Sequence, residues 1–218
     1  MLRFGPDTGP VVVVALPLFE EANRTRAFAV SILRALAERG IAGALPDLPG
    51  QGESLTPTHQ TDLAKLGAGF AAAVASLATP IFTLAIRSGA LLDADAQVTS
   101  RYHLSPMTGA DLRRELVRAR QASARESGEN FDPTSLDTAT DPVELAGNLI
   151  NPALLAQLTN ATPSLEQTRT VRLATEAKPA DAKLPGSPLW RRAEPDNDPA
   201  FAKAVADDIA EWIATCVA

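Results

Sequence analysis

Covalent or acid–base chemistry needs a nucleophile, a proton acceptor or a fixed charge, and this chain is sparing with the second. Its only imidazoles are His59 and His103. The serine best placed for nucleophilic work is Ser88, within Leu84-Ala85-Ile86-Arg87-Ser88-Gly89-Ala90-Leu91-Leu92, an apolar run that ends at a turn. Its neighbour Arg87 stays protonated and cannot attack an acyl carbon, but its planar fork can hold a carboxylate or phosphate. A second charged cluster, Glu20, Glu21, Asn23, Arg24 and Arg26, follows the apolar run Val11 to Leu18. The single cysteine, Cys216, rules out an internal disulfide and a Cys-based zinc site. Neither a Walker or Rossmann glycine loop nor a metal-ligand spacing occurs, so no cofactor and no metal are expected.

The elements that must position these residues form an alternating series. Val11-Val12-Val13-Val14-Ala15-Leu16 is continuous and β-branched, as a strand covered on both faces should be. Ala29, Ile32, Leu33 and Leu36 recur at helical spacing before Gly40. A short apolar run, Ile41 to Leu45, leads into the turn-rich loop Pro46 to Ser54, and Leu63, Leu66, Phe70, Val74 and Leu77 mark another helix. Pro80 to Ile86 reads as a third strand. Strand, helix, strand, helix, strand predicts a parallel α/β sheet with helices on both faces. Further strands are expected near Tyr102–Leu104 and Thr170–Thr175, with a basic helix from Asp111 between them. The last helix starts at Asp198-Pro199 and buries Phe201, Val205, Ile209, Trp212 and Ile213. Residues 107–165 are read as a mostly helical, cap-like excursion within a single 1–218 domain.

The chain has 218 residues, 45% hydrophobic and 21% charged, which fits one globular core. A net charge of -6 gives nucleic-acid binding no electrostatic support. The uncharged stretch between Lys65 and Arg87 is poor in large apolar residues and broken at Thr79-Pro80, so no membrane span is expected. The N-terminal run lacks the basic start and small-residue cleavage site of a signal peptide, and the expected location is the cytoplasm.

Asp47-x-x-Gly50-x-Gly52-x-Ser54 after a strand, and the strand–turn–helix at Leu84 to Leu92, resemble segments of the α/β hydrolases, the second at the nucleophile elbow. More closely, the chain resembles the second type of exosortase A system-associated hydrolase. The matching pieces are Pro17-x-Phe19-x-Glu21-x-Asn23-Arg24, Leu45-Pro46-Asp47-Leu48-Pro49-Gly50, Arg87-x-Gly89-Ala90-Leu91-Leu92, Ser105-Pro106-x-x-Gly109 and Leu189-Trp190. The resemblance spans nearly the whole chain and weakens between 125 and 180. It implies an α/β-hydrolase-like three-layer sandwich and a bacterial role linked to exopolysaccharide export and protein sorting. It supplies no substrate.

Set against that fold, the residues argue against a working Ser-His-Asp triad. The elbow is so tight that positions two before and two after the nucleophile must be small. Centred on Arg87 they are Ala85 and Gly89; centred on Ser88 they are Ile86 and Ala90, and the β-branched Ile86 disfavours that frame. In this fold the histidine follows the last strand, yet none occurs after residue 103. Arg87 opposite Glu20 or Glu21 reads as a structural ion pair. Two other readings remain open: Arg87 or Arg24 gripping an anionic ligand, and a glutamate acid/base site. The pocket candidates are Phe19, Glu20, Glu21, Asn23, Arg24, Arg87, Ser88 and Ser105. The basic helix with Arg113, Arg114, Arg118, Arg120 and Arg125 reads as a solvated face. Trp190 and Trp212 read as core or interface aromatics. The leading expectation is a non-catalytic accessory that binds a small anionic or acyl molecule, a protein partner or a second copy of itself. The alternative is an ester or thioester hydrolase or acyl transferase using Ser88 with His103, or a carboxylate.

Overall fold

A computed structural model describes residues 1–78 and 80–217, so Thr79 of the expected Thr79-Pro80 turn lies outside the described residues. The valine run forms β2 (Val11–Ala15), every residue of which is buried. It pairs in parallel with β3 (Ala42–Leu45) on one side and β4 (Ile81–Ile86) on the other. Beyond β4 the sheet continues in parallel through β5 (Ser100–Leu104), β8 (Thr168–Leu173) and β9 (Ala182–Leu184). One antiparallel edge strand, β1 (Leu2–Phe4), closes the far side and gives the order β1-β3-β2-β4-β5-β8-β9.

Alternation along the buried strands divides the core into two layers. Val12, Val14, Phe82, Leu84, Tyr102 and Leu104 face a layer built by α1 (Glu20–Ala37) and α5 (Pro199–Cys216), with Phe28 stacked on Phe201 at 4.9 Å between ring centres. Val11, Val13, Ile81 and Ala85 face the other layer, with α2 (Leu63–Ala75), α3 (Gly109–Ser127) and α4 (Pro152–Leu158). Four of these helices start on a side chain that accepts a backbone N–H: Asp62 for α2, Thr108 for α3, Asn151 for α4 and Asp198 for α5. Each such cap is worth about 1 kcal/mol.

Several elements differ from expectation. The strand expected to reach Thr175 ends at Leu173. Residues 107–165 are less helical than anticipated: α3 and α4 are separated by a 3-10 turn (Pro133–Asp137) and a hairpin of β6 (Val143–Leu145) and β7 (Asn148–Ile150). The hairpin turn is Ala146-Gly147, both left-handed with φ of 50° and 73°, as a two-residue primed turn requires. The segment folds back onto itself where Gly109 meets α4: a Cβ there would lie 2.2 Å from the Leu158 carbonyl oxygen. After β4 the chain makes only a 3-10 turn, Arg87–Leu91, rather than a full helix. It turns away because Asp93, fully buried, is drawn into the sheet by Thr83 and His103.

Candidate functional site

The bend after β4 falls at Arg87. Ile86 is extended, and Arg87 takes φ 55°, a left-handed conformation that costs an ordinary residue about 1–2 kcal/mol. Two residues on, a Cβ at Gly89 would stand 2.2 Å from the Ala15 carbonyl oxygen and 2.8 Å from that of Leu16, so only glycine lets β4 turn against β2.

The Arg87 side chain is nearly closed off, with 11% of it exposed, and its contacts account for its tolerated strain. Nε and Nη2 each donate to one oxygen of Glu21 at 3.2 Å, a two-point pair with the first turn of α1. Nη2 also reaches both oxygens of Glu115 on α3, at 3.3 and 3.4 Å. The guanidinium carbon lies 5.2 Å from the centre of the Trp190 ring, a cation–π contact. Arg24 in turn donates to the Trp190 carbonyl at 3.2 Å, tying the end of the chain to α1. Burial raises the Glu21 carboxyl above its ordinary range even though Arg87 pulls it down. Burial also lowers the Arg87 pKa, but Glu21 and Glu115 overcome this and leave it above its usual value.

Trp190 lies in the 3-10 turn Leu189–Arg191, after the last strand β9. It is buried, as an interior aromatic should be, but its ring lies under the elbow cation.

The remaining candidates scatter. Ser88 is buried, and its Oγ accepts the Leu18 N–H at 2.9 Å rather than meeting an imidazole. His103, in β5, points its Nε2 at Asp93, 3.0 Å from Oδ2, and Thr83 donates to the same oxygen at 2.8 Å. Arg101 wraps the segment after the bend through the carbonyls of Asp93, Ala94 and Ala96. His103 also lines an adjoining cavity of about 670 Å³ with Met107, Thr108 and Thr170, which Arg87 does not line. His59 sits in a short turn, Thr58–Gln60. Glu20 and Asn23 are exposed, so the carboxylate opposite Arg87 is Glu21. Phe19 precedes α1 with φ 61° and lines hollows beside Leu18 and Glu20. Ser105, buried with φ 48°, donates to Glu176, which also accepts from Arg172 at 2.9 Å. Burial would raise the Glu176 carboxyl, but these hydrogen bonds hold it below the usual range.

Arg87, Trp190 and Glu176 all line one cleft of about 400 Å³ at the carboxyl ends of the strands. Six cationic side chains line it, Arg87, Arg114, Arg118, Arg172, Lys178 and Arg191, against the carboxylates of Asp111, Glu115 and Glu176. The basic helix is therefore not a uniformly solvated face. Arg114, Glu115 and Arg118 line the cleft because α3 crosses in front of the elbow, while Arg113 and Arg120 are partly buried and pair with Asp137 and Glu129. Asp111 takes Arg114 at 3.0 Å and Lys178 at 3.6 Å. Arg118 and Arg191 have no carboxylate partner among the described residues. The 114/118 spacing, one helical turn, is the sequence clue to this face. Nothing local in sequence ties Glu115, Glu176 or Trp190 to Arg87. Among the described residues no three His, Cys, Asp or Glu side chains are placed to hold a metal ion, and no helix is long and apolar enough to cross a membrane.

No protein-family model and no curated protein sequence matches the chain. Solved structures do. The chain is similar to Est1E from Butyrivibrio proteoclasticus, solved with ferulic acid bound, at TM-score 0.59 and 13% identity over 99% of this chain and 94% of that one. Mouse alpha/beta hydrolase domain-containing protein 10 superposes at TM-score 0.60 and 13% identity, covering 98% and 93%. An extracellular α/β-hydrolase from a Paenibacillus species gives 0.53 and 12%, covering 93% and 98%. Likeness at such low identity concerns the backbone and not the chemistry. With a mainly parallel sheet, helices on both faces and a sharp bend after β4, the chain has the α/β-hydrolase fold.

Proposed function

We propose that this is a non-hydrolytic α/β-hydrolase-fold protein whose triad has degenerated, and that it binds a small anionic molecule in the cleft beside Arg87. The observation that carries the reading is Arg87 itself, at the left-handed bend with its guanidinium locked to Glu21. A permanent cation there supplies no acyl nucleophile. Around it, Trp190 stands after the last strand in place of a base, and the Leu18 N–H, in the loop that would help hold an oxyanion, is taken by Ser88. The cationic lining of the cleft supports an anionic ligand over a neutral one. The motif pieces around Phe19, Asp47, Gly89 and Trp190 support an accessory role in a bacterial exosortase and exopolysaccharide system, acting in the cytoplasm.

The alternative is an ester or thioester hydrolase or acyl transferase. It draws on the oriented His103–Asp93 pair, but that pair has no hydrogen bond to Ser88, whose hydroxyl is engaged with Leu18. Titration calorimetry with small carboxylates and inorganic phosphate, beside turnover of p-nitrophenyl esters, separates the two. The proposal expects anion binding that weakens in Arg118→Gln and Arg191→Gln, with ester turnover at the buffer rate. Saturable turnover with no anion binding overturns it.

A further inference from the structure

The two carboxylates on Arg87 are not equivalent. Glu21 lies in the first turn of α1, has 14% of its side chain exposed, and takes Nε and Nη2 in a two-point pair. Glu115 has 46% exposed, and both of its oxygens crowd a single nitrogen, Nη2, at the long end of the hydrogen-bond range. Nη1 has no acceptor among the described residues and is not a sealed, orphaned group. The Nη1/Nη2 edge of the fork is therefore half used, and it is the edge on which Glu115 rests. Half-exposed pairs of this kind bring little net stabilisation, because water screens them and two long side chains must be held still.

We infer that Glu115 is an internal stand-in for the ligand: a small organic monocarboxylate displaces it and closes on the Nη1/Nη2 edge of Arg87. This rests on the binding reading above and names what that site takes. A planar carboxylate matches the fork in two parallel hydrogen bonds. A monoanion exchanged for Glu115 leaves the charge around Glu21 unchanged. A phosphate dianion adds negative charge beside Glu21, whose burial already disfavours its ionised form. Trp190, Met107 and Pro188 provide apolar wall for the carbon skeleton, and 400 Å³ limits the ligand to a small molecule. Arg118, one turn along α3 from Glu115, holds the cleft positive once the displaced glutamate swings to solvent.

The test is calorimetric titration of the full chain at pH 7 with benzoate, hexanoate and inorganic phosphate, and with benzamide as a neutral shape control, against wild type, Glu115→Gln, Glu126→Gln and Arg118→Gln. Glu126 is an exposed carboxylate farther along α3, so its variant measures the general effect of losing one negative charge. Removing a competing pair worth about 1 kcal/mol tightens carboxylate binding about threefold to fivefold. The expected result is that gain in Glu115→Gln, less than twofold change in Glu126→Gln, no benzamide binding, and unchanged thermal unfolding of both variants. Equal affinities in Glu115→Gln and wild type, with carboxylate binding weakened in Arg118→Gln, overturn the inference while leaving an anion cleft. Absence of carboxylate and phosphate binding in every variant overturns the cleft reading and the inference together.

Discussion

Replacing Arg87 by Met removes the elbow charge while keeping a long side chain, and the cost is set by the carboxylate it leaves behind. Glu21 then keeps its burial and loses both hydrogen bonds at 3.2 Å, while repulsion from Glu115 outweighs the remaining attraction of Arg24. Removing one partner of a buried pair costs about 3–5 kcal/mol because the other charge is left uncompensated. The lower end applies, since Glu115 can turn to water and the pair is not fully sealed. About 3 kcal/mol in a chain of this size is a fall in Tm of about 6–12 °C at pH 7. Direction with pH adds a second readout. The folded-state pKa of Glu21 is raised above its ordinary value, so its burial penalty grows as pH rises through the folded pKa and is relieved as pH falls toward the ordinary carboxylate range. Loss of Arg87 raises that pKa further, so the deficit of Arg87→Met relative to wild type shrinks between pH 7 and pH 5. The double variant Arg87→Met/Glu21→Gln removes the buried charge and recovers about 2 kcal/mol. Urea unfolding monitored by far-UV circular dichroism at both pH values measures all three quantities. A single variant as stable as wild type, or a double variant no more stable than the single, refutes the argument that this pair is buried and coupled.

The neighbouring contacts carry expectations of their own. Asp93→Asn puts an NH2 group against the His103 Nε2–H in either orientation of the amide, since Nε2 lies within 3.2 Å of both carboxylate oxygens in a fully buried site, and costs about 2–3 kcal/mol in urea unfolding; a change under about 0.5 kcal/mol contradicts the network. Gly89→Ala drives a methyl to 2.2 Å from the Ala15 carbonyl and yields insoluble or molten protein, seen by the loss of near-UV circular dichroism; a variant with native unfolding behaviour contradicts the close approach at the bend. Arg87→Ser does not yield ester hydrolysis, because no imidazole stands beside the bend: Trp190 packs there and His103 is held on Asp93; turnover of p-nitrophenyl acetate above wild type contradicts that arrangement.

Much of the sheet is legible in the sequence for a physical reason: β2 and β4 are covered on both faces, so their residues are apolar apart from Thr83, whose hydroxyl is spent on Asp93. The bend frame is legible too, since the small residues at 85 and 89 reflect a backbone clash that the Gly89 geometry makes explicit. The three-residue strands β1, β6, β7 and β9 escape a reading by pattern because they are too short to display a period. The helix expected after the elbow is only a 3-10 turn, and Asp93, just beyond it, is buried against the sheet under Thr83 and His103. Of the cleft, the Arg87–Glu pairing is readable as a need for countercharge, with Glu20 and Glu21 indistinguishable by sequence; the helical phase of α1 turns one inward and the other out. Glu115 and Trp190 reach Arg87 from 28 and 103 positions away, and only the packing of α3 and the chain end over the strand tips brings them there.

The most direct measurement of the central claim is reaction of the full chain with a fluorophosphonate probe, then intact mass and peptide mapping. With Arg87 at the bend and Ser88 Oγ bonded to the Leu18 amide, the expected spectrum is that of unmodified protein after prolonged exposure. One phosphonyl group per chain, mapped to Ser88, would contradict it.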